Sequence, residues 1–179
     1  MSGRIFKFGG AIMIYLKEVC REDAAKEYEF IRSVPYEEHS FINEFLSDSF
    51  EEFESCRLKS MIDSAEGIGL PEGYVPETNL MLWDDDEIVG WFRIRHYLCP
   101  SLVEGSGHIG YTIAKEHRGK GYGTQGLRLA VEKAKKIIPE DEIYLRVDKD
   151  NRASLRIMQK NGGYIHHEDE KKYYVRIKL

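Results

Sequence analysis

The chain has 179 residues, with 26 Lys or Arg against 31 Asp or Glu and a formal net charge of -5. That length suits one domain with a real core, and 42% hydrophobic with 12% aromatic residues excludes a disordered chain. The acidic balance speaks against nucleic acid as a partner. No apolar run approaches the ~20 residues that span a membrane, and three scattered cysteines, Cys20, Cys56 and Cys99, point to a reducing, cytoplasmic setting.

Residues 1–12 are expected to be a tag or a flexible N-terminal arm, and 13–179 a single domain. Ile12, Ile14 and Leu16 alternate with polar or mixed neighbours and predict a strand. Asp23 to Ser33 predicts a helix ended by Pro35. A second helix starts at Ser49, with Glu52 three residues on as in a capping box. Phe50, Phe53, Leu58, Met61, Ile62 and Ala65 fall largely on one face, and Gly67 to Thr78 is a loop. Leu80 to Trp83, the turn Asp84 to Asp86 and Ile88 to Ile94 predict a hairpin. Leu98 to Gly107 connects it to a strand over Ile109, Tyr111 and Ile113.

The period then changes. Leu127, Ala130, Val131, Ala134 and Ile138 form a helical stripe closed by Pro139. Ile143, Leu145 and Val147 predict a strand. Asn151 to Lys160 is a short helix ended by Gly162 and Gly163, and Tyr173 to Leu179 alternates as a last strand. His166 and His167 fit a polar surface hairpin. The order gives an α/β fold, with an antiparallel hairpin section and one βαβ section.

One segment carries chemistry. Arg118-Gly119-Lys120-Gly121-Tyr122-Gly123-Thr124 lies between a strand and a helix start. Glycines let the backbone approach a ligand, and the free N–H groups and dipole of the helix start favour an anion. The reading is a pocket for a phosphate or pyrophosphate. A P-loop fails, because Ala114 stands where its first Gly belongs. A dinucleotide fingerprint fits Gly121, Gly123 and Gly126, with Asp148 as ribose-binding acid, and keeps an NAD-dependent oxidoreductase as a lesser alternative. Against it, Lys115 to Lys120 separates strand from glycines, and few residues follow Asp148.

The third template, R/Q-x-x-G-x-G/A, fits Arg118, Gly121 and Gly123. From about Leu80 to Gly163 the chain resembles the GCN5-related N-acetyltransferase (GNAT) family. The resemblance is strongest in IGYTIAKEHRGKGYGTQGLRLAVEKA, and a second block holds Asn151 to Ser154 and Lys160 to Gly163. Within the family it is similar to uncharacterised bacterial predicted acetyltransferases with a GHIGY strand and a DKDN segment. The resemblance implies a mixed, mostly antiparallel sheet flanked by helices and an acetyl-CoA-dependent N-acetyltransferase, with no metal. The acceptor would be a small-molecule or peptide amine, attacking directly in a ternary complex, and the assembly a homodimer. Arg118, Gly119, Lys120, Gly121, Tyr122, Gly123 and Thr124 would meet the CoA pyrophosphate. Ile113, Ala114, Asn151 and Ser154 would flank its pantetheine arm, and main-chain N–H groups near Tyr111 to Ile113 would polarise the thioester.

Two departures follow from the same resemblance. The family's catalytic Glu falls at about Gly107, which leaves His108 and Glu104 as candidate general bases. The family's Tyr acid falls at Met158, which leaves water, Tyr164 or another group as proton donor. They also support an alternative, an acyl-CoA sensor of the same fold with little turnover. The first two helices and the loop after them are expected to hold the acceptor. Glu37, Glu38 and Glu44 are candidates to attract a cationic one.

Overall fold

The structure is a computed structural model and describes residues 13–179, so the segment expected to be a tag or arm, with Ile12, lies outside the described residues. Nine strands and six α-helices are assigned among those residues. β1 (Ile14–Glu18) leads to α1 (Ala24–Ser33), as the alternation and the stop at Pro35 require. A short hairpin follows, β2 (Glu37–Glu38) and β3 (Phe41–Ile42), which the sequence does not signal. Its turn residues His39 and Ser40 have φ of 48° and 63°, a left-handed pair normally left to Asn and Gly.

The second predicted helix starts where expected but is irregular. α2 (Phe50–Glu52) passes through a π-helical stretch, Phe53–Leu58, into α3 (Lys59–Ala65). Ser49 accepts the Glu52 N–H at 3.1 Å, while Glu52 reaches back to the N–H of Asp48 rather than of Ser49. The π turn lets Phe53 and Leu58, five positions apart, both be fully buried.

β4 (Glu77–Asp84) and β5 (Glu87–Arg95) form the predicted hairpin. α4 (Pro100–Val103) interrupts the connection to β6 (Ile109–Ile113). α5 (Tyr122–Ala134) ends one turn before the predicted Ile138, which still packs in the core. β7 (Glu142–Asp148), α6 (Arg152–Lys160), β8 (Tyr164–Glu168) and β9 (Lys172–Lys178) complete the chain.

The strands form a four-stranded sheet, β1-β4-β5-β6, and a three-stranded one, β7-β9-β8, antiparallel throughout. α5 packs on one face of the first, with Leu80, Leu82, Phe92, Leu127 and Ala130 in the contact. α1 and the α2–α3 helix cover the other face over Met81, Trp83 and Trp91. β4 is thus buried on both faces, which is why Leu80 to Trp83 is continuously apolar rather than alternating. Each large side chain buried there contributes about 1.5–3 kcal/mol.

The βαβ unit, β6-α5-β7, does not close its sheet. β6 and β7 touch at one point, where the His108 N–H donates to the Tyr144 carbonyl at 2.7 Å and the Tyr144 N–H donates to His108 Nδ1 at 2.9 Å. Beyond that junction the strands part, and Ile109 to Ile113 and Arg146 to Val147 wall a common cleft.

Glu27 on α1 is 1% exposed, accepts the Cys20 N–H at 3.0 Å through Oε1, and leaves Oε2 buried without a partner. Burial pushes its carboxyl up to about 7. The unfolded chain ionises first, so this contribution to stability is full below about 4.5 and is lost as pH rises through about 7. Glu27→Gln should flatten that loss, worth about 2–3 kcal/mol. Melts of parent and variant across this range test it; parallel curves would contradict it.

Candidate active site

The cleft between the two sheets has a volume of about 570 Å³. Its floor is the free edge of β6. His108 O accepts from Arg95 N–H and the Ala114 N–H donates to Val89 O, so even-numbered residues of β6 turn their main chain toward β5. The alternation aims the main-chain groups of Tyr111 and Ile113 into the cleft. Nε of Arg118 donates to the Ile113 carbonyl at 2.9 Å. That leaves the Ile113 N–H as a donor facing the cleft.

The start of α5 forms the next wall. Gly121 has φ of 90° and caps the helix, and the first intrahelical bond there runs from Gln125 N–H to Gly121 O at 3.1 Å. The N–H groups of Tyr122, Gly123 and Thr124 precede it and have no helical acceptor. They and the helix dipole make a site for an anion. From α6, Asn151 Oδ1 accepts the Ser154 N–H at 3.0 Å and caps that helix. Ser154 Oγ lies 2.6 Å from the Tyr111 hydroxyl, so the far side of the cleft is bolted to its floor. Burial pushes the Tyr111 phenol well above its ordinary range.

The β2–β3 hairpin crosses the other side. Asn43 fixes its base through Nδ2 to the carbonyls of Ile31 and Val34, at 2.9 and 3.0 Å. Ser40 at the tip donates to Asp148 of β7, about 3.1 Å away, and accepts from Lys172 at 2.8 Å. Glu38 receives both terminal nitrogens of Arg118, which hold its carboxyl below the usual range. The hairpin is therefore tied to both sheets, and these ties offset the strain of His39 and Ser40.

Residues 14–163 match the family described as an acetyltransferase (GNAT) domain. This chain belongs to the GNAT acetyltransferase family. No curated protein matches it. The fold is that of solved GNAT structures. A GNAT acetyltransferase from Streptococcus pneumoniae aligns at 20% identity and TM-score 0.61, over 93% of this chain and all of the other. Spermidine N-acetyltransferase from Vibrio cholerae, solved with CoA and spermine, aligns at 19% and 0.60, over 92% and 95%. The Campylobacter jejuni N-acetyltransferase PseH, solved with acetyl coenzyme A, aligns at 18% and 0.57, over 93% and 99%.

Within this GNAT fold, Ile113, Arg118, Gly119, Gly121, Tyr122, Gly123, Thr124, Asn151 and Ser154 come together as walls of the cleft. Ala114 and Lys120 are not among its walls; Ala114 follows the strand and pairs with β5, and Lys120 is exposed on the loop. The side chain of Arg118 braces the hairpin instead of standing free.

The two candidate bases lie outside the cleft walls. Glu104 is exposed after α4. His108 is fully buried with both ring nitrogens engaged: Nδ1 accepts from Tyr144 and Nε2 lies 3.2 Å from Glu140. That pattern places its proton on Nε2, and burial lowers its pKa despite Glu140. In this arrangement His108 joins the sheets and has no nitrogen free for an amine. Tyr164 pairs with Glu142 away from the cleft, and Met158 is among the residues that line it.

The dinucleotide alternative does not survive the fold. A Cβ on Gly126 would lie 2.4 Å from Phe92, so that glycine serves helix packing on an antiparallel sheet. Asp148 is occupied by Ser40 and Lys172. The sequence reading gave no signal for one wall of the cleft. Hairpin residues 38–41 line it, with Arg93, Arg95 and Arg146. Two-residue strands around a His-Ser turn carry no recognisable signal.

Proposed function

We propose that this protein is an acetyl-CoA-dependent N-acetyltransferase in which an acceptor amine, from a small molecule or a peptide, attacks the thioester directly in a ternary complex. The observation that carries the reading is the convergence of the α5 N–H groups and the free β6 edge on one cleft. A pyrophosphate fits the first and a pantetheine amide the second. The donors suit acetyl-CoA because both are unpaired main-chain groups at fixed positions. The N–H of Ile113 then stands ready for charge developing on the thioester oxygen, where a single such donor supplies about 2.7–4 kcal/mol. No protein nucleophile is required, and positioning supplies much of the rest.

The amine proton falls to a residue of the cleft wall. His39 is an exposed imidazole on the hairpin tip, with its ring nitrogen within 4.8 Å of carboxylate oxygens of Asp148 and Asp150. We assign it to take the amine proton. The leaving thiolate takes its proton from solvent in the open cleft, while Tyr111, kept protonated by burial, stays bonded to Ser154 and fixes the wall beside it.

CoA thiol release across polyamines, aminoglycosides, amino acids and peptide N-termini tests the reading. Turnover with any of them supports it; acetyl-CoA bound but never consumed would favour a sensor. His39→Ala is expected to lower kcat by about 10²-fold at unchanged melting temperature. His108→Ala should instead lower the melting temperature, because it strands the Tyr144 N–H, at a cost of about 1–3 kcal/mol. The reverse pattern would return the base to His108.

A further inference from the structure

The acceptor side of the cleft is cationic. Alternation along β5 puts Arg93 and Arg95 on the face of Trp91, under the hairpin, and the Arg93 guanidinium lies 4.4 Å from the Phe41 ring and 5.0 Å from the Trp91 ring. Arg146 on β7 shares the face of Asp148, whose carboxylate holds Ser40 of the same hairpin. All three arginines wall the cleft. Arg156 and Lys160, by contrast, come from α6, which packs with α5 on the opposite face.

The partners of these arginines do not exhaust them. Arg93 is 5% exposed; its Nη1 is 3.3 Å from Glu44 and its Nη2 donates to the Ile42 carbonyl at 2.6 Å. Its Nε is buried with no acceptor. Arg95 Nε lies 3.3 Å from Glu77, and its Nη1 donates to the Gly107 carbonyl at 3.2 Å. Arg146 has no side-chain hydrogen bond or ion pair among the described residues. Three guanidiniums therefore face two carboxylates, Glu44 and Glu77, and Glu44 is half exposed. Two of the three acids expected to draw a cation are spent, Glu38 held by Arg118 and Glu44 by Arg93, and the exposed Glu37 is not among the cleft walls. Asp148 is held by Lys172. Among the described residues that wall the cleft, Glu38 is the one carboxylate.

A surplus positive charge calls for an anion, and a second ammonium would meet repulsion. We propose that the acceptor is an amine that also carries a carboxylate, held by Arg95 and Arg146, with the charge of Arg93 behind them. This rests on the acyl-transfer reading above and narrows it. The cleft then excludes polyamines, whose free ends are cationic. It accepts amino acids and acidic peptides whose amine can reach the thioester while the carboxylate stays at the arginines.

The test uses the full chain and two titrations. CoA is titrated first. N-acetyl-ω-amino acids are then titrated into the CoA-bound protein, against monoacetylated α,ω-diamines of the same chain lengths. The carboxylates should bind at least about tenfold more tightly. Arg146→Gln should erase the preference and Arg146→Glu reverse it. Equal affinity, a preference for the ammonium series, or no binding of either series overturns the proposal. Failure of CoA to bind would sink the transfer reading instead. The carboxylate series, repeated without CoA, still reads the arginines by themselves.

Discussion

Gly107→Glu is expected to destroy the site rather than equip it with the carboxylate that the resemblance implies at about this position. Gly107 has φ of 65°, and a Cβ on it would lie 2.2 Å from the Tyr144 carbonyl oxygen and 2.6 Å from its carbon. Those atoms are backbone and are themselves fixed, because the same carbonyl accepts the His108 N–H at 2.7 Å. The left-handed backbone alone costs an L side chain about 1–2 kcal/mol, and the overlap forces the two sheets apart at the point that joins them. A loss of about 3–5 kcal/mol follows. For a chain of this length it lowers the melting temperature by roughly 6–20 °C. Gly107→Ala should lose nearly as much, since the clash is at Cβ and not at the carboxylate. Thermal melts of both variants with CoA-release assays are the check. A Gly107→Glu protein that melts like the parent and turns over faster would show that the junction yields and the family base can be restored.

Gly121→Glu should leave the fold and remove the donor substrate. A Cβ there meets only Gln125 Nε2 at 3.9 Å, so there is room for a side chain, and the penalty is the φ of 90°. The carboxylate projects beside the free N–H groups of Tyr122, Gly123 and Thr124. It competes for those donors and repels the pyrophosphate that the dipole would attract. Acetyl-CoA affinity should fall at least about 100-fold, which is about 2.7 kcal/mol. The loss should shrink at high salt, because part of it is repulsion between solvated charges. Gly121→Ala separates the parts: it keeps the backbone strain without the charge, and should cost affinity far less. Calorimetric titration of acetyl-CoA into the three proteins at two ionic strengths reads this. Unchanged affinity in Gly121→Glu would mean that the anion site lies elsewhere.

The two substitutions show why the loop was legible and the chemistry was not. The loop is local. Arg118 to Thr124 lie next to each other in the chain, and the unpaired N–H groups of a helix start follow from the start itself. Asn151 and Ser154 are likewise neighbours in one helix turn, joined by a 3.0 Å cap bond. Gly107 and His108 gave no such signal. Their roles are set by Tyr144, more than thirty positions away, and by Glu140 beyond the intervening helix. A histidine at a strand start reads as a titratable base in sequence. Burial and two filled nitrogens make it a hinge pin here.

The sequence by itself determined the order of the long elements, the continuous apolar run of β4, the glycine-rich start of α5 and the family. Each rests on periodicity or on residues close in the chain, where geometry is nearly fixed by local chemistry. Tertiary structure decided the rest. It parted β6 from β7, because a glycine junction pairs them at one point only. It used the hairpin, rather than the first helices, to wall the cleft. It also set the charge balance of that wall: Glu38 and Glu44, which read as bait for a cation, are neutralised by Arg118 and Arg93 across the fold. Charge in a cleft is a sum over residues distant in sequence, and only their positions in space reveal which charges are left over.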